Sequence, residues 1–360
     1  MSQNDCLLLN KYRFRYFLDR FKIRRSYDNF GDIVMFSTPI HRSILAAAAA
    51  LLAGLAAAPA HAAWPSDAPI SITVGFAAGG TTDVMVRNLA PFIAKHLGDN
   101  ASFVIQNRPG ASGEIAINSV MRAKPDGYSL VVVNLPGYFF VPMYRKSSYT
   151  TKDLTLVARL VSDPTIMVTR KDSKLTDLRQ VVSQLKTAPS SYSAGHNGLG
   201  TNGHLAMAQL ENAASVKFNS IPFNGSAQQK AALTTSTLDI AFLAASEVPD
   251  PENEATPVRL LAQFAKDKVQ RIASTPTTFE MGFPVEMTAE RGIAAPNGVP
   301  AAIRARLEKA IEAALKDPEY VKTARNDAPF LSFLGGAEWA KAVEQAQKSY
   351  EPIARTLPKE

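Results

Sequence analysis

From residue 70 onward, apolar residues follow two alternating periods. Ile70-Ser71-Ile72-Thr73-Val74-Gly75-Phe76 switches between apolar and polar like a strand with one buried face. A turn of small residues follows, Ala77-Ala78-Gly79-Gly80, and Thr81-Thr82-Asp83 are residues that start helices. Met85, Leu89, Phe92, Ile93 and Leu97 then recur at helical spacing up to Gly98. Pro91 falls inside that pattern and is expected to kink the helix or end it early. A second strand is predicted over 102–107, a helix over 112–124 with Ile115, Val120 and Met121 inward, and a third strand over 129–133. Such regular alternation means βαβ units and a parallel sheet.

The alternation then begins again. Residues 165–169 read as a strand, and Leu178, Val181, Val182 and Leu185 mark a helix opened by Thr176-Asp177. Strands are predicted over 191–194, 216–222 and 238–242, with helices over 204–212 and 226–235. Two successive blocks of like construction predict two α/β domains. The acidic, proline-containing stretch 247–254 reads as a surface loop. Two late helices, over 301–316 and 337–349, need a sheet to lie on, and the first domain supplies the candidate.

The N-terminus carries a different signal. Residues 44–58 form an uncharged apolar run, preceded by His41-Arg42 and followed by Ala60-His61-Ala62. Basic, then apolar, then small-x-small is the order of a cleaved secretory signal peptide, with Met35 as its natural start. Residues 1–34 then read as an over-long gene start. Their KYRFRYFLDRFKIRR segment interleaves basic and aromatic residues as a nucleic-acid or membrane arm does, but an arm ahead of a cleaved signal could not act on the mature protein.

Removing that segment changes the charge. The 360-residue chain has 39 Lys+Arg against 32 Asp+Glu, but eight of the bases and four of the acids precede residue 63. The mature chain keeps 31 bases and 28 acids, a formal charge of +3, so nucleic acid is not implied as a partner. The single cysteine, Cys6, is lost with the segment, which suits an oxidising compartment and excludes a disulfide framework. Beyond residue 62 no apolar run reaches membrane-spanning length.

Chemistry is concentrated in two glycine-rich turns, GFAAGGTTD at 75–83 and GHNGLGTNGH at 195–204. Each follows a predicted strand and opens a helix. At such a place unpaired backbone N–H groups and the helix dipole face outward, a ready site for an anion. Thr81, Thr82, Thr201 and Asn202 add hydroxyl and amide partners. Either turn alone is read as an ordinary βα connection; the pair points to a small carboxylate. Gly198-Leu199-Gly200-Thr201-Asn202-Gly203 also spells a dinucleotide fingerprint, but the following strand ends Ser220-Ile221-Pro222-Phe223-Asn224 without the acid that holds a ribose. No cofactor is expected. Templates for a serine nucleophile elbow, a phosphate loop and an H-E-x-x-H zinc site are also missing, so no catalytic residue is assigned. His196 and His204 flank the second turn without an obvious third ligand and read as hydrogen-bonding residues rather than a metal centre.

With these turns in view, the chain resembles the Bug-type receptors of tripartite tricarboxylate transporters. The resemblance runs through GFAAGGTTD, NRPGASGEIA at 107–116, KPDGYSLVV at 124–132, SYTTKDLTLVARL at 148–160, GTNGHLA at 200–206, IPFNGSA at 221–227, TPTTFEMGFP at 275–284 and IAAPNGVPAAIRARL at 293–307. It implies a type II periplasmic-binding-protein fold, two α/β lobes joined by crossing strands with a cleft between them. One lobe would comprise 64–164 and 287–360, the other 165–286. It further implies a monomeric, non-enzymatic periplasmic receptor that captures a small organic acid and hands it to membrane permease subunits. The alternative is an exported sensor that presents its closed form to a two-component signalling partner.

Carried over by motif, Ala77, Ala78, Gly79, Gly80, Thr81, Thr82 and Asp83 would form one wall of the cleft. Gly198, Gly200, Thr201, Asn202 and His204 would form the other, with Asn134 and Ser246 completing the ligand site. The chain departs from the family pattern in places. Gly75 and Ala78 stand where prolines are usual, Gly225-Ser226 replaces a pair of glycines, and Leu243-Ala244 replaces an Asp-Asn. The last change removes a carboxylate that would meet an amino group, which predicts a ligand without an ammonium.

Overall fold

The computed structural model describes residues 64–248, 253 and 256–356. The expected signal peptide at 35–62, the extension before it, and most of the acidic loop after Val248 lie outside the described residues. Among the described residues no helix is long and apolar enough to cross a membrane.

Strands β1 (Ile70–Val74), β2 (Phe103–Asn107) and β3 (Ser129–Leu135) pair in parallel in the order β2-β1-β3, linked through helices α1 (Thr81–Leu97) and α2 (Glu114–Met121). β3 shows why its sequence is almost continuously apolar. Leu130 and Val132 pack on one face with Ile70, Ile72, Met85, Leu89 and Leu307. Val131, Val133 and Leu135 pack on the other with Ile117, Phe139, Phe140 and Trp339. A strand covered on both sides has no polar face to alternate with. Helix α3 (Gly137–Tyr144) follows it directly.

The lobes are joined by β4 (Leu154–Arg170), a single strand of 17 residues. Through Pro164 it pairs antiparallel with β9 (Thr288–Pro296), which in turn borders β3; from Thr165 it pairs with β7 (Ile240–Ala244) and β8 (Val258–Gln263). β10 (Leu331–Gly335) also pairs with the first half of β4. In the second lobe β5 (Ser193–His196) lies parallel between β7 and β6 (Asn219–Pro222). Helices α4 (Leu178–Thr187), α5 (Asn202–Ala214) and α6 (Ser226–Thr234) connect these strands. Where β4 changes partners, three backbone bonds close a ring. Thr165 N–H donates to Met287 O at 2.8 Å, Met287 N–H to Phe264 O at 3.0 Å, and Phe264 N–H to Thr165 O at 2.8 Å. The outcome is two α/β lobes on crossing strands, drawn together into one compact unit.

The chain ends in α7 (Ala301–Lys316), α8 (Pro318–Ala324) and α9 (Gly336–Thr356). Leu307, Ile311 and Ala314 of α7 join the core with Met85 and Ile93, so these helices do cover the first lobe.

Two local expectations are corrected. Helix α1 runs unbroken through Pro91 to Gly98, whose φ of 72° ends it. Pro91 is on the exposed face, where the carbonyl it leaves unpaired meets water, while Leu89, Ile93 and Leu97 hold the other face in the core. Ile115 faces solvent at 48% exposure, and Ala116, Ile117 and Val120 are the buried face of α2. This helix starts two residues later than its sequence suggests, because a short 3₁₀ turn, Ala111–Gly113, precedes it.

Candidate functional site

A narrow cleft with about 30 Å³ of free interior lies where the lobes meet. The first turn contributes Gly80, Thr81 and Thr82, and the second contributes Thr201 and Asn202. Asn134 at the end of β3 also borders it, as do Ser112, Asn197, Ser226, Glu247 and Arg291.

In the first turn Gly79 adopts φ 75°, a left-handed conformation that brings the chain round into α1. Asp83, expected to form part of the cleft wall, is turned back into the turn itself. Its carboxylate accepts the Gly79 amide at 2.9 Å, Arg87 Nε at 2.9 Å and Asn107 Nδ2 at 2.9 Å. Burial works against its ionisation, but these donors outweigh burial and hold its pKa below the ordinary carboxylate value. Ala78 and Gly79 are exposed, and the Ala77 amide donates across to Asn224 O of the second lobe at 3.3 Å. What reaches the cleft from this turn is the start of α1. Gly80 caps it without any side-chain bond, so the first-turn amides of Thr81, Thr82 and Asp83 have no acceptor within the helix.

The second turn reaches the same result by other means. The His196 ring accepts the Gly198 amide on Nδ1 at 3.1 Å and bonds Ser220 Oγ through Nε2 at 2.8 Å. His204 Nδ1 accepts the Gly200 amide at 3.3 Å, and the Thr201 hydroxyl donates to Gly198 O at 2.7 Å. The Gly198 and Gly200 amides and the His204 ring, all expected in the ligand site, are thus engaged in folding the loop. Burial pushes the His196 pKa down to about 4. Burial, with His196 and Lys217 nearby, pushes that of His204 down to about 3. Both rings are therefore neutral at neutral pH and bring no cation to an anion. Thr201 caps α5 without a side-chain bond to it, leaving the amides of Asn202, Gly203 and His204 as donors at the helix start. Among the described residues no group of three or more His, Cys, Asp or Glu could hold a metal ion.

Thr81 and Ser226 link the two walls across the cleft, while Asn202 and Asn134 each bond within their own lobe. Thr81 and Ser226 bring their hydroxyls to 3.3 Å. Asn202 Nδ2 donates to Thr165 Oγ1 at 2.9 Å, and Asn134 Nδ2 to Thr82 Oγ1 at 3.2 Å. Asn134 Oδ1 is buried without a partner.

The floor is ionic. Arg291 on β9 is 2% exposed and donates to Asp163 at 2.7 Å, to Asp327 at 3.2 Å and to Ser246 Oγ at 2.8 Å. Ser246 therefore lies behind the wall, its amide bonded to Asp163. Burial pushes Asp163 up to about 7 despite the Arg291 charge. Sequence patterns gave no warning of Arg291, Glu247, Ser112 or Asn197. One signal was available for Ser112, which sits in a loop where Gly110, Ala111, Ser112 and Gly113 all have positive φ and two of the four are glycines.

Comparison with known proteins shows the family and the fold. The family model described as "Tripartite tricarboxylate transporter family receptor" matches residues 85–339. A protein encoded in the gbd 5' region of Cupriavidus necator is 29% identical over 323 residues, spanning 88% of this chain and 96% of its own. Among solved structures, MatC from Rhodopseudomonas palustris with bound malate aligns with a TM-score of 0.72 at 26% identity, covering 79% of this chain and 98% of that one. The periplasmic binding protein BugD aligns with a TM-score of 0.73 at 25% identity, covering 80% and 96%.

Proposed function

The chain belongs to the tripartite tricarboxylate transporter receptor family, and on that premise we propose that it is a periplasmic, non-enzymatic receptor for a small organic carboxylate. In this reading the first-turn amides of α1 and α5 hold one carboxylate from opposite lobes, assisted by the hydroxyls of Thr81, Thr82 and Ser226. The ligand is then released to membrane permease subunits.

The observation that carries the reading is that two helix starts without a side-chain cap border one cleft. Each helix terminus contributes about 0.3–1 kcal/mol to an exposed anion and up to about 2 kcal/mol in a partly buried geometry. With several hydrogen bonds of about 1 kcal/mol each, the total approaches the roughly −8 kcal/mol of micromolar binding. The long contacts between the lobes, Thr81 to Ser226 and Ala77 to Asn224, both 3.3 Å, are weak enough for a better acceptor to replace. Closure follows the ligand only insofar as both walls touch it. The malate in MatC supports a carboxylate as the class of ligand, and the periplasmic identity of BugD supports the compartment.

Isothermal titration of the chain from residue 63 with a panel of organic acids tests this. At least one carboxylate is expected to bind in the micromolar range, roughly −8 kcal/mol. Thr81→Asp, which sets a like charge at the start of α1, is expected to weaken it by about tenfold or more. Unchanged affinity in Thr81→Asp would remove the helix starts from the site.

A further inference from the structure

Glu247 is 8% exposed and borders the cleft at the end of Ala245–Glu247, a single 3₁₀ turn after β7. One of its carboxylate oxygens, Oε2, accepts the Ala244 amide at 2.9 Å. Among the described residues no cation pairs with that carboxylate. The Lys230 ammonium bonds the Glu247 backbone carbonyl instead, at 3.0 Å. Arg271 is directed to Asn326 and the Val248 carbonyl. Arg291 is already shared between Asp163 and Asp327. The floor thus gathers three largely buried carboxylates about one guanidinium, and beside it Asn134 Oδ1 is a buried acceptor with no donor. The second Glu247 oxygen faces the cleft, where it is an acceptor that a ligand's donor can reach.

Resting on the carboxylate-receptor reading, we propose that Glu247 determines specificity: it receives a hydrogen-bond donor, an ammonium ahead of a hydroxyl, carried by the ligand whose carboxylate sits at the helix starts. The cleft is then polarised, with amide donors at the α1 and α5 end and acceptors at the floor. A zwitterionic acid matches both ends. A second carboxylate reaching the floor meets like charge, with the guanidinium that could have received it already occupied. The expectation of a ligand without an ammonium group rested on Leu243-Ala244, which carry no carboxylate. The turn after β7 brings one back to the same cleft three residues later.

The test is titration calorimetry with matched acids: butyrate, succinate, γ-hydroxybutyrate, γ-aminobutyrate, α-aminobutyrate and their longer homologues. In the wild-type chain the best amino acid is expected to bind roughly tenfold or more tighter than the dicarboxylate of the same length, with the hydroxy acid between them. Glu247→Gln is expected to abolish or reverse that order while unsubstituted monocarboxylates keep their affinity. Glu247→Asp, which retains the charge, is expected to keep the order, and a wild-type ranking that favours dicarboxylates overturns the proposal even if Glu247→Gln does not fold. Dicarboxylates binding as well as or better than amino acids, or a ranking unaltered in Glu247→Gln, overturns the role of Glu247 and leaves the carboxylate receptor standing. Binding by no acid of any class overturns both.

Discussion

The two glycine-rich turns solve one structural problem with opposite chemistry. Each must direct a helix start at the cleft while its own loop stays folded. The first turn is tied by an ionised carboxylate, Asp83, held by the Gly79 amide, Arg87 and Asn107. The second is tied by two neutral imidazoles, His196 and His204, that accept the Gly198 and Gly200 amides. A charged anchor is strong but needs donors on several sides, and Arg87 and Asn107 stand beside the first turn to supply them. A neutral anchor tolerates burial in the second lobe without needing a counter-charge. The lesson is that similar glycine patterns can position the same backbone donors while responding differently to mutation and to acid.

Removing the charged anchor is expected to give the largest effect. Asp83→Ala loses three hydrogen bonds, one of them to Asn107 on a separate strand, and should destabilise the protein by about 3–4 kcal/mol. Urea unfolding measures the loss, and hydrogen exchange should show 77–83 loosened with 195–204 unaffected.

Acid should separate the turns in the other direction. Both histidines have folded pKa values, about 4 and about 3, below the ordinary value of 6.5. Between these limits the unfolded chain binds protons that the folded chain refuses. The histidine contribution is therefore complete above about pH 6.5 and falls as pH drops toward 4, by about 2–3 kcal/mol for His196, while Asp163, raised to about 7, contributes with the opposite sign over the same window. Asp83, whose folded pKa is already below its ordinary value, loses its contribution only below the normal carboxylate range, near pH 3.8. Denaturant midpoints across pH 4–7 check the order, and His196→Gln should flatten the slope. A slope left unaltered in His196→Gln contradicts the neutral anchor.

The smallest contrast lies in the glycines. Gly79 has φ 75° and open space around it, so Gly79→Ala should cost only the left-handed strain, about 1 kcal/mol. Gly198 has φ 102°, and a Cβ there would come within 2.8 Å of Ser112 Oγ on the other lobe, so Gly198→Ala should cost about 2 kcal/mol. Thermal melts of the two variants give the comparison directly.

Local periodicity made the βα units and both turns legible. Met85, Leu89, Ile93 and Leu97 announce α1, and Asp177 caps α4 through the Gln180 amide as its sequence suggests. The joining strand was less legible. Only 165–169 read as strand, whereas β4 extends from Leu154 to Arg170. Its first half carries register shifts against β9 at Leu156–Ala158 and Arg159–Val161, which break the alternation, so no single period marks it. The cleft floor was not legible. Arg291, Asp163 and Asp327 are more than 30 residues apart along the chain, and only pairing between β4 and β9 brings the first two together. The engagement of Gly198, Gly200 and Asp83 within their own turns also escaped sequence reading. A glycine amide or a first-turn acid looks the same in sequence whether its partner is a ligand or a neighbouring side chain.

The ring formed by Thr165, Phe264 and Met287 limits how the empty receptor can move. Sliding one lobe past the other would break all three bonds of the ring at once, whereas a twist about that point can keep them. Lobes that twist but do not slide sample fewer arrangements of the two walls. Less orientational freedom then remains to be lost at capture, and more of each contact with the guest is retained as affinity.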